Sequence, residues 1–228
     1  MSSTVVPEAL RARIRERFTP NLYISYGTNE TGTVTLAGPE LVGAVPGIVG
    51  HLIPGMEAEI IDGAGNRLDP GEEGRLRVRS AGMVTGYLND GEATARAFLD
   101  GCFDTGDLAV FTDGGALIHK GRADDMMIYD GINIYPGEIE NALLNHLVVA
   151  EVAAFSLRSS ELGDIPFAAV VIKSQASEED LISHCRSWLG AHAPAGIMIV
   201  PKLPRNAVGK VLNKELVSLA HRRLKQRQ

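Results

Sequence analysis

The chain has 228 residues and 45% hydrophobic content, enough for one large domain or two small ones, each with a real core. It carries 22 Lys and Arg against 28 Asp and Glu, a net charge of −6 with no basic cluster before Arg222-Arg223-Leu224-Lys225, and that balance argues against a nucleic-acid binder. Two distant cysteines, Cys102 and Cys185, argue against a disulfide framework or a cysteine metal site, and no apolar run approaches the roughly 20 residues of a membrane span.

In chain order, residues 1–7 lack the basic start and apolar middle of a signal peptide, so a cytoplasmic protein is expected. Residues 7–18 read as an amphipathic helix with Leu10, Ile14 and Phe18 on one face and Pro7 in the first turn. Residues 22–26 read as a short strand. Residues 27–54 are rich in Gly, Pro and small residues, which predicts loops with short extended pieces. Residues 56–61 and 75–79 alternate; in the second, Leu76 and Val78 face one way and three arginines the other. With a hairpin of 108–111 and 116–119 about Asp113-Gly114-Gly115, they predict a small antiparallel barrel or sheet; 92–98 reads as a short helix.

The character changes after Arg122. Strands are expected at 126–129, 149–157, 167–173 and 197–200. A helix at 138–147 presents Ile139, Leu143, Leu144 and Leu147. A second, opened by a capping box at Ser177, presents Leu181, Cys185, Trp188 and Leu189. A terminal helix covers 213–225, and its basic end suits the carbonyl dipole. The fold class is α+β, with a compact C-terminal α+β unit and domains at 1–123 and 124–228.

Several clusters carry chemistry. In Tyr26-Gly27-Thr28-Asn29-Glu30, the tyrosine offers a flat face for a purine, the glycine a close backbone approach, and the glutamate a ligand for a phosphate-bridging Mg²⁺; a plain strand end is the alternative. Asp107, after Thr105-Gly106, can accept two hydrogen bonds from a ribose diol or serve as an ordinary turn aspartate. Arg122 taken alone is a surface arginine, and Lys210, a surface charge by default, can supply a compact cation for a developing anion. Asp124 is a solvated linker residue, and Gly131 is an ordinary turn glycine on its own.

Four blocks in order, Tyr26 to Glu30, Phe103 to Asp107, Gly121 to Glu140, and Pro204 to Lys210, resemble motifs of the AMP-forming superfamily of acyl-CoA synthetases, luciferases and peptide-synthetase adenylation domains. The resemblance implies that Tyr26 stacks on adenine, Glu30 holds Mg²⁺ and Asp107 and Arg122 meet the ribose. It places Asn29, where the family usually has threonine, at the α-phosphate. Asp124 becomes the hinge between two domain orientations, Gly131 lets the CoA pantetheine pass, and Lys210 serves adenylation. The family's Ser/Thr/Gly-rich triphosphate loop has no counterpart here, so the chain resembles the C-terminal portion of such an enzyme: the end of the large domain, then the small mobile one.

The implied reaction is carboxylic acid plus ATP to acyl-AMP, then transfer to CoA, with a separate N-terminal half as a possible partner. Alternatives are an inactive nucleotide- or partner-binding module, and adenylation that loads a carrier-protein thiol.

Overall fold

The computed structural model describes residues 6–159, 163–207 and 209–226. Residues 1–5, on which the signal-peptide expectation rests, and Val208 of the 204–210 block lie outside the described residues. The chain divides into two compact units, Met1–Asp124 and Asp125–Gln228.

The first unit runs α1 (Glu8–Arg17), β1 (Ile24–Thr28), β2 (Gly32–Ala37), α2 (Pro39–Ala44), β3 (Ile48–Leu52), β4 (Met56–Ile61), β5 (Gly74–Ser80), α3 (Gly91–Ala97), β6 (Phe98–Leu99), β7 (Cys102–Phe111) and β8 (Leu117–Arg122). Its strands form one antiparallel sheet in the order β1-β2-β3-β8-β7-β5-β4, with β6 beside β7. The sheet is open, ending at β1 and β4, so of the two expected forms it is the sheet and not the barrel.

Strand β5 shows the sequence logic. Leu76 and Val78 are fully buried among Val34, Ile48, Ile60 and Leu117. On the opposite face Arg75 meets Asp104 at 3.0 Å, Arg77 meets Glu59 at 3.9 Å and Arg79 pairs with Glu57. Each arginine thus has a carboxylate on a neighbouring strand, the arrangement that favours one register over a slip.

Two expectations fail in this unit. Residues 27–54 hold two short strands, the expected extended pieces, but also a helix in place of loop, with Gly32, Gly47 and Gly50 at positive φ in or beside the strands. At Gly50 a Cβ would lie 2.0 Å from the Leu36 carbonyl oxygen, so the glycine permits close strand contact; it does not mark a loop. In α1, Leu10 is 39% exposed and Phe18 86%, while Arg11 is buried. Its guanidinium donates to the Val6 and Ile48 carbonyls, both at 2.9 Å, and lies 3.3 Å from Glu8. Burial lowers its pKa, with Glu8 opposing. Hydrogen bonding of the charge makes that burial tolerable.

The second unit runs β9 (Met127–Tyr129), β10 (Ile132–Ile134), α4 (Pro136–Leu144), β11 (Val149–Ser159), β12 (Gly163–Ile172), α5 (Glu178–Leu189), β13 (Gly196–Ile199) and α6 (Asn213–Gln226). Strands β9 and β10 form a hairpin whose turn residues, Asp130 and Gly131, have φ of 50° and 76°, the left-handed pair a tight two-residue loop requires. Strands β11, β12 and β13 form a sheet with β12 and β13 parallel.

Alternation splits this sheet between two layers. Ala154, Ala168, Val170 and Ile197 pack with Ile139 and Leu143 of α4 and Leu181 and Cys185 of α5. Ala153, Phe155, Leu157, Ala169 and Met198 pack with Leu216 and Ala220 of α6. Ser177 and Asp180 form the expected capping box. Leu147 and Trp188, expected on apolar faces, are 92% and 60% exposed: α4 ends at Leu144, before Leu147, and the buried stripe of α5 is carried by Leu181 and Cys185. No helix among the described residues is long and apolar enough to cross a membrane.

Candidate functional site

In the first unit, blocks far apart in sequence converge. Tyr26 lies on β1, Asp107 on β7 and Arg122 at the end of β8, which the antiparallel register sets opposite Asp107. The Tyr26 hydroxyl donates to Asp107 Oδ2 at 2.5 Å across 81 residues of sequence. Arg122 Nη1 donates to the Thr105 carbonyl at 2.7 Å and lies 3.5 Å from Asp107 Oδ1. His119 Nε2 stands 3.7 Å from Asp107 Oδ2.

Local chemistry builds this geometry. The stretch read as a turn before Asp107 lies within the long strand β7. Gly106 has φ 72° and admits the Arg122 guanidinium over it: a Cβ there would lie 2.8 Å from Nη2. Asp104 Oδ1 accepts from the Gly106 N–H at 3.0 Å, and Thr105 Oγ1 accepts from the Asp107 N–H at 3.1 Å. These bonds hold the local kink.

The electrostatics follow from the contacts. Burial alone would raise the Asp107 pKa. The neighbouring His119 ring and the hydrogen bond from Tyr26, with the charge of Arg122, outweigh it and hold the carboxyl below the usual range. Tyr26 moves oppositely: burial, the adjacent Asp107 charge and the hydrogen bond to it push the phenol far above its usual value. Tyr26 is a donor, and Asp107 an ionised acceptor.

Gly27 lies at a register shift in the β1–β2 pairing, where a Cβ would sit 2.2 Å from the Gly32 carbonyl oxygen, so no larger residue fits without moving backbone. Asn29 is exposed in the turn between β1 and β2, beside the partly buried Glu30. Glu30 Oε1 accepts from the Tyr87 hydroxyl at 2.8 Å, and its carbonyl accepts from the Val84 N–H at 3.0 Å. No cluster of three or more His, Cys, Asp or Glu that could hold a metal occurs among the described residues.

Asp124 is exposed in a 3-10 turn, Ala123–Asp125, with its carboxylate 3.9 Å from Arg122 Nη2. In the second unit, Gly131 sits in the β9–β10 turn, where a Cβ would meet nothing within 4 Å, but its φ of 76° still favours glycine. Lys210 is exposed on a loop closed by Asn206, whose Oδ1 accepts from the Lys210 N–H at 2.8 Å and whose N–H donates to the Lys210 carbonyl at 2.9 Å. Arg205 donates to the Gly209 carbonyl at 2.8 Å and pairs with Glu151 at 2.5 Å.

Tyr26, Asp107 and Arg122 come together; Glu30 is held separately by Tyr87 in the same unit, and Gly131 and Lys210 belong to the other unit. Sequence reasoning missed His119, Tyr87 and Asn206. The Gly86-Tyr87 step ahead of a helix capped by Asp90 marks Tyr87 as a turn residue, and Asn206 lies inside a block already singled out. The two-residue strand alternation of Leu117 and His119 was the one signal for His119.

The model of the AMP-binding enzyme family matches residues 1–88, and that of the AMP-binding enzyme C-terminal domain matches residues 138–210. A long-chain-fatty-acid–CoA ligase of Salmonella typhimurium is 35% identical over 193 residues, 84% of this chain and 34% of the relative. A 2-succinylbenzoate–CoA ligase of Bacillus pumilus is 36% identical over 215 residues, 93% of this chain and 44% of the relative. The solved o-succinylbenzoate CoA synthetase of Bacillus subtilis, in complex with its acyl-adenylate intermediate, superposes with a TM-score of 0.85 at 30% identity, covering 94% of this chain and 44% of that one. The same enzyme is known with ATP and magnesium ion. The chain thus spans about a third to under half the length of the relatives it matches.

Proposed function

The chain belongs to the AMP-forming adenylating superfamily, and on that premise we propose that it is the C-terminal portion of an acid–thiol ligase. The reaction joins a carboxylic acid to ATP, releasing pyrophosphate and forming acyl-AMP; a CoA thiol then displaces AMP. The CoA ligases among its relatives favour CoA over a carrier-protein thiol. In this reading the first unit is the end of the large domain and the second is the mobile small domain, with Asp124 at the hinge. An N-terminal half would complete the enzyme.

The observation that carries the reading is the meeting of Tyr26, Asp107 and Arg122 around one ionised carboxylate. Asp107 can accept both hydroxyls of a ribose diol once the Tyr26 hydroxyl yields Oδ2. Tyr26 then presents its ring to the adenine. Gly27 and Asn29 line the approach of the α-phosphate, and Arg122 balances charge at the ribose and phosphate edge. Glu30, steadied by Tyr87, is the carboxylate that would hold Mg²⁺, whose chemistry is to neutralise the phosphate oxygens. Lys210 lends its ammonium to the acid and α-phosphate while acyl-AMP forms. Gly131 leaves room for the pantetheine arm during thioester formation.

The test is acid-dependent ATP–pyrophosphate exchange with a panel of acids, with and without the N-terminal half supplied in trans. Exchange only in the combined system supports the reading. No exchange with any acid in a folded, combined system contradicts it.

A further inference from the structure

His119 touches both residues on which nucleotide recognition rests. Its ring centroid lies 5.4 Å from that of Tyr26 with the planes at 38°, and its Nε2 lies 3.7 Å from Asp107 Oδ2. The side chain is only 13% exposed, and its backbone N–H donates to the Gly47 carbonyl at 3.1 Å, which anchors β8 at that point. The titratable and charged groups facing this cluster among the described residues are Tyr26 from β1, Asp107 from β7 and Arg122 from β8 itself.

These neighbours act differently on Asp107. Tyr26 donates a hydrogen bond but no charge. Arg122 is always charged, and its side chain is half exposed. His119 is the largely buried nitrogen group beside Asp107 Oδ2, and it also touches the Tyr26 ring. The distinction matters when a nucleoside arrives. A ribose hydroxyl on Oδ2 must replace the Tyr26 hydroxyl, which removes the shortest bond to the carboxylate and frees the phenol ring. The His119 imidazole at 3.7 Å holds the carboxylate in place through that exchange, and the same ring backs Tyr26.

We propose that His119 is a positioning residue for nucleoside capture: it holds Asp107 and Tyr26 in the arrangement that receives a ribose and a purine. The inference rests on the reading of the first unit as a nucleotide site.

The test uses adenosine bound to the full chain and followed by NMR at neutral pH. His119→Gln keeps an N–H donor toward Asp107 and should bind within about twofold of wild type, whereas His119→Phe keeps a ring against Tyr26 but no donor and should bind about threefold to tenfold more weakly, the size expected when one contact to a carboxylate is weakened. Wild-type affinity in a folded His119→Phe, or equal losses in His119→Phe and His119→Gln, overturns the role of His119 while leaving the nucleotide site in place. No adenosine binding by the folded wild-type chain overturns the nucleotide reading and the role with it. Should His119→Phe not fold, His119→Ala supplies the same comparison.

Discussion

The Tyr26 hydroxyl donates to Asp107 at 2.5 Å, so the two residues proposed for the purine and the ribose satisfy each other's polar groups. Burial, the Asp107 charge and this bond keep the phenol protonated, and the bond, with His119 and Arg122, keeps the carboxylate ionised against its burial.

Tyr26→Phe should therefore weaken the first unit at neutral pH by about 1–2 kcal/mol, because a charge-assisted bond to a largely buried carboxylate is lost. Asp107 has a depressed folded-state pKa. It contributes stability that is present above its unfolded-state value, about 3.9, and lost as pH falls through the lower folded-state value. Removing the phenol raises the folded-state value and shrinks that contribution. Urea melts should show a larger gap between wild type and variant at pH 7 than near pH 3. An equal gap at both would mean the bond does not act through the Asp107 charge.

Glu140 gives the opposite dependence in the second unit. Burial, with the nearby Asp125 charge adding to it, pushes its pKa up to about 7, against the bond from the Ala154 N–H at 3.0 Å. The folded state holds this proton more tightly than the unfolded one. Its stabilisation is complete below the unfolded-state value, about 4.3, and is lost as pH rises through about 7. Glu140→Gln keeps the acceptor without the charge, so it should stabilise the chain at pH 8 by on the order of 1–3 kcal/mol and do little at pH 5. Denaturant melts at the two pH values measure this; a loss of stability at pH 8 would show that the carboxylate is needed.

The end of α4 separates two leucines that the sequence placed on one face. Leu143 is fully buried and Leu147 is 92% exposed. Leu143→Ala should cost about 2–5 kcal/mol through the cavity it leaves, while Leu147→Ala should stay within about 0.5 kcal/mol of wild type. Thermal melts of both variants decide it, and equal losses would place Leu147 in the core.

Much of this was legible in the sequence because single residues had single physical meanings. Leu76 and Val78 alternating with arginines gave β5, and the Ser177 capping box gave the start of α5. Tyr26, Asp107 and Arg122 stood out because their blocks, in order, resemble motifs of the superfamily; each residue alone also allowed a plain structural reading. What failed was information held by partners. The glycines in β2 and β3 signalled loops, although Gly50 is required by the Leu36 carbonyl packed against it. Arg11 is buried because two carbonyls and Glu8 satisfy it, and no periodicity reveals that. His119 sits in a strand like any other residue until the register of β7 and β8 brings Asp107 to it.

Lys210 offers the most direct test of the account. Its ammonium makes no ion pair among the described residues, and Asn206 ties down its backbone, so the loop holds the lysine while leaving its charge available. In the complete enzyme, acid-dependent ATP–pyrophosphate exchange should be measured for Lys210→Ala beside thioester formation from preformed acyl-AMP. The account predicts that exchange falls by about 10²–10³, as when one preorganised charge is removed from a developing anion, while thioester formation stays within about threefold of wild type. Equal loss of both half-reactions in a variant that melts like wild type would contradict it.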